Sequence, residues 1–141
     1  LRFQCRVIGK TIGWLLILKT VLVVDDDPFI VKLISINLEA RDYSVLTAGD
    51  GKEGLISALK NDPDLILLDL MMPVMNGLEM LKELRQVSDV PVIIVSAYGN
   101  PDTVEEAREL GIECFLSKPF KIEGMVDTID IILNIDSLSF D

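Results

Sequence analysis

Leu65-Ile66-Leu67-Leu68-Asp69 is the stretch on which the fold turns: four apolar residues without a break, then one carboxylate. A strand wetted on one face alternates apolar with polar, whereas an unbroken run of this length suits a strand buried on both faces of a parallel sheet. Three further stretches repeat the design. Val21-Leu22-Val23-Val24 runs into Asp25-Asp26-Asp27, Ile93-Ile94-Val95 into Ser96-Ala97, and Phe115-Leu116-Ser117 into Lys118-Pro119. Ligand sites in such sheets lie just beyond the carboxyl ends of the strands. Acids, a hydroxyl and a lysine therefore arrive at one rim from different strands, a combination suited to a divalent cation and a phosphoryl group.

From about Lys19 onward, apolar runs alternate with segments of helical period, which predicts repeated βα units. The first helix is expected to start at Pro28 with Asp27 as N-cap, and to carry Ile30, Leu33, Ile34 and Leu38 on one face, with Phe29 and Val31 off it. Val45-Leu46-Thr47-Ala48 reads as the second strand. Asp50-Gly51 opens a helix with Leu55, Ala58 and Leu59 inward, ending by Asp62-Pro63. Asn76 and Glu79 have the spacing of a capping box before a helix that presents Leu78, Leu81 and Leu84. Pro91 precedes the fourth strand, and Asn100-Pro101 opens a helix closed by Gly111. Ile122, Met125, Val126, Ile129, Ile132 and Leu133 mark the last helix. Five strands and five helices result, with right-handed crossovers and helices on both faces of the sheet.

At 141 residues the chain suits one domain with a substantial core. Its net charge of -10 is unevenly spread. Residues 1–18 carry Arg2, Arg6 and Lys10 and no acid, so the rest sets 10 basic residues against 23 acids, a net -13. Such a surface repels a phosphate backbone, so no direct nucleic-acid binding is expected. Cys5 and Cys114 suggest neither a disulfide framework nor a zinc site, and a reducing, cytoplasmic setting fits. Histidine is absent, which excludes Ser-His-Asp and Cys-His catalysis, imidazole metal sites and a phosphohistidine carrier.

Residues 1–18 stand outside the βα pattern and are expected to be an N-terminal extension to a domain of residues 19–141. The apolar run Ile12 to Leu18, flanked by basic residues, raises a signal peptide or anchor. It falls short of the roughly 20 residues that span a bilayer, and no small-residue cleavage site follows. No membrane association is expected.

Crowding Asp25, Asp26 and Asp69 into one space raises at least one carboxyl pKa unless a cation relieves the repulsion. Magnesium, which takes oxygen ligands from one or two carboxylates plus waters and phosphate oxygens, fits; manganese can substitute, and the spacing is not a calcium loop. A lysine beside acids is often a plain ion pair and a hydroxyl after a strand often a helix cap. Taken together, however, a cation, Lys118 and Ser96 can neutralise a phosphoryl group in flight, and Asp69 can accept it as an aspartyl phosphate.

Residues 20–134 resemble the receiver domain of two-component response regulators. The resemblance rests on Val-Val-Asp-Asp-Asp-Pro at 23–28, Leu-Asp-Leu-Met-Met-Pro-Val-Met-Asn-Gly at 68–77, Val-Ser-Ala at 95–97 and Lys-Pro-Phe at 118–120. It implies a flavodoxin-like α/β fold, doubly wound, with a five-stranded parallel sheet in the order 2-1-3-4-5. It further implies Asp69 as phosphoacceptor, Asp25 and Asp26 as the acidic pair with Asp26 the direct metal ligand, and the Met71 carbonyl as a further ligand to Mg2+. Lys118 would contact the phosphoryl group, Ser96 would be the switch hydroxyl, and Phe115, in place of a common tyrosine, the aromatic that follows it. Lys118-Pro119 resembles a bond that is usually cis in the family. Met71 and Tyr98 stand where the family tunes phosphoryl lifetime; neither can orient an attacking water, so slow self-dephosphorylation is expected. The implied partners are a sensor histidine kinase or phosphotransfer protein docking near the first helix, a downstream partner reading the face of the fourth helix, fifth strand and fifth helix, and a phosphorylation-dependent homodimer. The chain would catalyse its own modification without being an enzyme for a separate metabolite.

Three alternatives compete. A flavodoxin-type cofactor domain shares the fold, but Asp25-Asp26-Asp27 would repel a flavin phosphate. A phosphatase of the haloacid-dehalogenase type needs a second acid two residues after its nucleophile, where this chain has Met71. A pseudo-receiver, a docking module that is not phosphorylated, is opposed by the intact Asp26, Asp69, Ser96 and Lys118.

Overall fold

Burial explains the unbroken apolar runs. In the computed structural model, which describes the backbone of residues 2–8, 11–97 and 100–138 and the side chains within 18–97 and 100–134, three central strands are almost wholly shielded from solvent. These are β3 (Thr20–Val24), β5 (Leu65–Leu68) and β6 (Val92–Ser96). The flanking strands β4 (Ser44–Ala48) and β7 (Cys114–Ser117) are only half-buried, as edge strands should be. All four pairings are parallel, in the order β4-β3-β5-β6-β7, which counted within this sheet is 2-1-3-4-5.

Alternation along each central strand supplies two cores rather than one. Val21, Val23, Leu65, Leu67, Ile93 and Val95 face α1 (Pro28–Glu39) and α5 (Ile122–Leu138). Leu22, Val24, Ile66, Leu68 and Ile94 face α2 (Gly51–Asn61), α3 (Gly77–Leu84) and α4 (Pro101–Leu110). Each fully buried Leu, Ile or Val contributes roughly 1.5–3 kcal/mol of transfer free energy.

Helix starts fall where capping chemistry puts them. Asp27 accepts from the Phe29 amide, Asp50 from Glu53 and Asn100 from Thr103, and Asn76 with Glu79 forms the reciprocal capping box. Gly111, at φ 92°, ends α4 in a conformation that suits glycine.

Three details depart from the sequence reading. Leu33 is exposed while Val31 packs against the first core, because the buried face of α1 centres on Ile30, Ile34 and Leu38 and a step of about 100° per residue carries Leu33 off it. Leu59 is likewise exposed. Helix α2 buries its small-residue face of Gly51, Gly54 and Ala58, and a Cβ at Gly54 would lie 2.9 Å from Met80 Sδ and from Val24 Cγ1. The third departure is at the N-terminus, where β1 (Arg2–Ile8) and β2 (Thr11–Ile17) pair antiparallel as a separate two-stranded sheet. The period-two alternation of Phe3, Cys5 and Val7 with Arg2, Gln4 and Arg6 is the strand signal there. The side chains of Arg2, Cys5, Arg6 and Lys10 lie outside the described residues.

No helix among the described residues is long and apolar enough to cross a membrane. Gly124, exposed in the first turn of α5, has no atom within 4 Å of the position a Cβ would take. Gly124→Ala is expected to stabilise the fold by several tenths to about 1 kcal/mol, read as a higher urea midpoint at unchanged slope.

Candidate functional site

The strand order reverses between β3 and β5, so the crevice at their carboxyl ends is the switch point at which such sheets bind ligands. Both ends carry acids. Asp25 follows Val24 directly; its amide donates to the Ala48 carbonyl at 3.1 Å, and its Oδ1 accepts from the Asp27 amide at 2.9 Å. Asp69 follows Leu68; its amide donates to the Val24 carbonyl at 2.9 Å, and its Oδ1 accepts from the Met71 amide at 3.1 Å. The sheet's own ladder thus aims the two carboxylates at one another. Asp25 is 5% exposed and Asp69 6%, whereas Asp26 is open to solvent. Carboxylate oxygens of all three lie within 4.8 Å of one another.

Lys118 crosses from the far edge of the sheet. Its amide donates to the Ser96 carbonyl at 2.9 Å, and its Nζ lies 2.9 Å from Asp25 Oδ2 and 3.1 Å from Asp69 Oδ2. The peptide bond to Pro119 is cis. Ser96 is fully buried at the end of β6, beside Ser117 in register. Phe115, paired with Ile94, is half-buried against the second core. The structure therefore brings together Asp25, Asp26, Asp69 and Lys118, with Ser96 tied to Lys118 through the backbone. Met71 contributes its amide and leaves its side chain exposed. Tyr98 lies outside the described residues.

Burial raises the Asp69 pKa, opposed by the Met71 amide, raised further by the charge of Asp25 and opposed again by Lys118. Burial alone would lower the Lys118 pKa, but its bonds to Asp25 and Asp69 outweigh that and raise it. For the fold the two shifts act in opposite pH ranges. Ionising Asp69 costs the fold stability, which is fully present below the ordinary carboxylate pKa and is lost as pH rises through the raised one. Lys118 adds stability at all lower pH, lost as pH rises beyond its ordinary value. Three clustered acids, only two of them bonded to the one ammonium, leave excess negative charge at the rim, and this all-oxygen donor set fits a hard divalent cation.

Two glycines and one strained turn hold the loop after Asp69. The Gly77 amide donates to the Leu70 carbonyl at 3.1 Å, and a Cβ on Gly77 would lie 2.3 Å from the Asp69 carbonyl oxygen. The Gly51 amide donates to the Met75 carbonyl at 2.9 Å, where a Cβ would again lie 2.3 Å from that oxygen. Between these anchors Val74 takes φ 67° in a γ-turn closed by Met75 N–H to the Pro73 carbonyl. A β-branched residue there is strained and persists because both ends of the loop are held. The sequence reading named Gly77 within its motif but could not assign it this backbone contact.

The chain belongs to the response regulator receiver domain family, whose model matches residues 21–130. It is 38% identical over 116 residues to the DNA-binding dual master transcriptional regulator RpaA of Synechocystis, covering 80% of this chain and 48% of that protein. To the alkaline phosphatase synthesis transcriptional regulatory protein PhoP of Bacillus subtilis it is 42% identical over 103 residues, 72% of this chain and 43% of the relative. Among solved structures, the chemotaxis protein CheY4 of Vibrio cholerae superposes with a TM-score of 0.77 at 34% identity, covering 83% of this chain and all of that one. The chain spans about half the length of the curated relatives it matches. It is a receiver domain of the two-component type, and the pseudo-receiver alternative is not favoured.

Proposed function

We propose that Asp69 is the phosphoacceptor of this receiver and that its modification switches the conformation of the chain. The observation that carries the reading is the Lys118 ammonium held on both Asp25 and Asp69 at the switch point of the sheet. Asp25, Asp26 and Asp69, with the Met71 carbonyl, would hold Mg2+ or Mn2+, which supplies charge neutralisation to phosphoryl oxygens when bound. The chain's own groups do the rest. An Asp69 carboxylate oxygen forms the new bond to phosphorus as the bond from phosphorus to the donor breaks and the donor leaves with that electron pair. Meanwhile Lys118 shifts its ammonium to the phosphoryl oxygens and Ser96 offers its hydroxyl from the next strand. Phe115 then repacks on the α4 side. Such a modification shifts the equilibrium only by what it contributes differently to the two conformers.

The donor in this reading is a sensor histidine kinase or phosphotransfer protein, which supplies the histidine the chain lacks. It would dock on α1, where Phe29 is 72% exposed and Leu33 and Ile36 continue an apolar stripe. The chain catalyses its own phosphorylation and dephosphorylation and works in the cytoplasm. Its phosphorylated form would engage a downstream partner or a second copy. RpaA is named as DNA-binding, but the net -13 of residues 19–141 speaks against direct nucleic-acid contact by this segment. Residues 1–18 are read as an extension outside the receiver domain of residues 19–141, a division supported by the separate sheet of β1 and β2.

Intact mass after incubation with acetyl phosphate, with and without Mg2+, tests the acceptor. One phosphoryl group is expected on the wild type with metal, and none without metal or on Asp69→Ala. An adduct that survives Asp69→Ala sinks the assignment. If the wild type forms none while folded, a chain starting at Lys19 tells a site obstructed by the extension from an inert one. The adduct, once formed, is expected to decay slowly, because the side chains at positions 71 and 98, Met71 and Tyr98, carry no carboxylate or amide to orient water; decay at the pace of the fastest receivers would refute that.

A further inference from the structure

A phosphoryl donor is an anion, and this rim is built from acids. Lys118, the cation at its centre, is already engaged by Asp25 and Asp69. A cavity of about 260 Å³, which Asp25 and Asp26 of the rim help to line, opens between α1 and the β4–α2 connection, with Lys32, Thr47 and Gly49 among its other lining residues. Lys32 is the one Lys or Arg in that lining. Lys32 is exposed and makes no ion pair or hydrogen bond among the described residues. It stands one helical turn after Pro28, so both face the same cavity. Every other charged side chain in the lining is an acid.

Resting on the reading of Asp69 as acceptor, we propose that Lys32 is the positioning residue that admits an anionic phosphoryl donor to the rim. Its ammonium offsets the carboxylate field along the approach, leaving Lys118 to the acceptor. In the step it serves, an Asp69 oxygen forms the new bond to phosphorus. The bond from phosphorus to the donor's acyl oxygen breaks, and acetate leaves with that electron pair. A lysine at a cleft lined by the opposite sign raises the local concentration of an anion, and that effect scales with the anion's charge and fades with salt.

The test compares acetyl phosphate, a dianion, with phosphoramidate, whose zwitterion carries one net negative charge and loses ammonia. Rates of adduct formation are measured on the whole chain with saturating Mg2+ at low and high salt. Lys32→Gln is expected to slow acetyl phosphate roughly threefold to tenfold at low salt, to slow phosphoramidate less, and to flatten the salt dependence. Lys32→Arg restores the rate, and the Mg2+-induced rise in melting temperature is unchanged in both variants. Equal rates for wild type and Lys32→Gln, an equal loss with both donors, or a lost Mg2+ response would each overturn the proposal. A wild type that forms no adduct with either donor would overturn the acceptor reading itself, and this one with it.

Discussion

Asp69→Asn is expected to abolish the phosphoryl adduct and, in metal-free buffer at neutral pH, to raise the melting temperature. The two effects have one cause. Asp69 sits in a crevice where burial and the neighbouring Asp25 make its ionised form costly, so its pKa is raised. An acid whose pKa is higher in the folded state than in the unfolded one loses stability as pH rises through the folded value. At neutral pH the wild type carries that cost, and a neutral amide of the same shape does not. Lys118 keeps Asp25 as partner in the variant. The direction of the shift sets the sign of the effect, a higher melting temperature for the variant at neutral pH. Mg2+ should then reverse the ranking. A ligand at 100 times its dissociation constant stabilises by about 2.7 kcal/mol, and the wild type, with three acids at the site, gains more of this than the variant. Calorimetry across pH with and without Mg2+ reads both effects. A lower melting temperature for the variant in metal-free buffer would show that Asp69 is not strained by its charge.

Gly77→Ala is expected to destabilise the fold by at least roughly 2–3 kcal/mol and to slow acetyl phosphate labelling of the molecules that remain folded. The new Cβ would lie 2.3 Å from the Asp69 carbonyl oxygen and 2.9 Å from Leu70 Cα, both backbone atoms. Neither can retreat without carrying Asp69 away from Lys118. Helix propensity alone gives the opposite sign, since alanine outranks glycine in a helix. Gly124→Ala is the internal control, with the same substitution, a helix start and open space. Urea unfolding of the pair decides the matter, and two variants that both gain stability would refute the contact argument.

Much of this was legible in the chain because the signals are local. Unbroken runs such as Leu65–Leu68 mark doubly buried strands, and Asp27, Asp50, Asn76 and Asn100 mark helix starts because a cap needs only its own next two or three amides. The acids, serine and lysine of the site were legible because each follows a strand, and a parallel sheet carries all its strand ends to one side. Leu33 and Leu59 were misread for the converse reason. Periodicity tells that a helix has an apolar face, but the partner decides where that face is centred, and the close seat of α2 on Met80 and Val24 is a fact about the partner.

The sequence by itself determined the elements, their caps and the inventory of charged groups at one rim, because propensity, periodicity and capping act over a few residues. Only the tertiary structure decided the bridging of Asp25 and Asp69 by one ammonium, the strained turn at Val74 between its two glycine anchors, and the open lysine at position 32. Those features depend on how closely backbones from distant parts of the chain approach one another. That closeness is set by the simultaneous packing of both cores, a condition no single stretch of sequence contains.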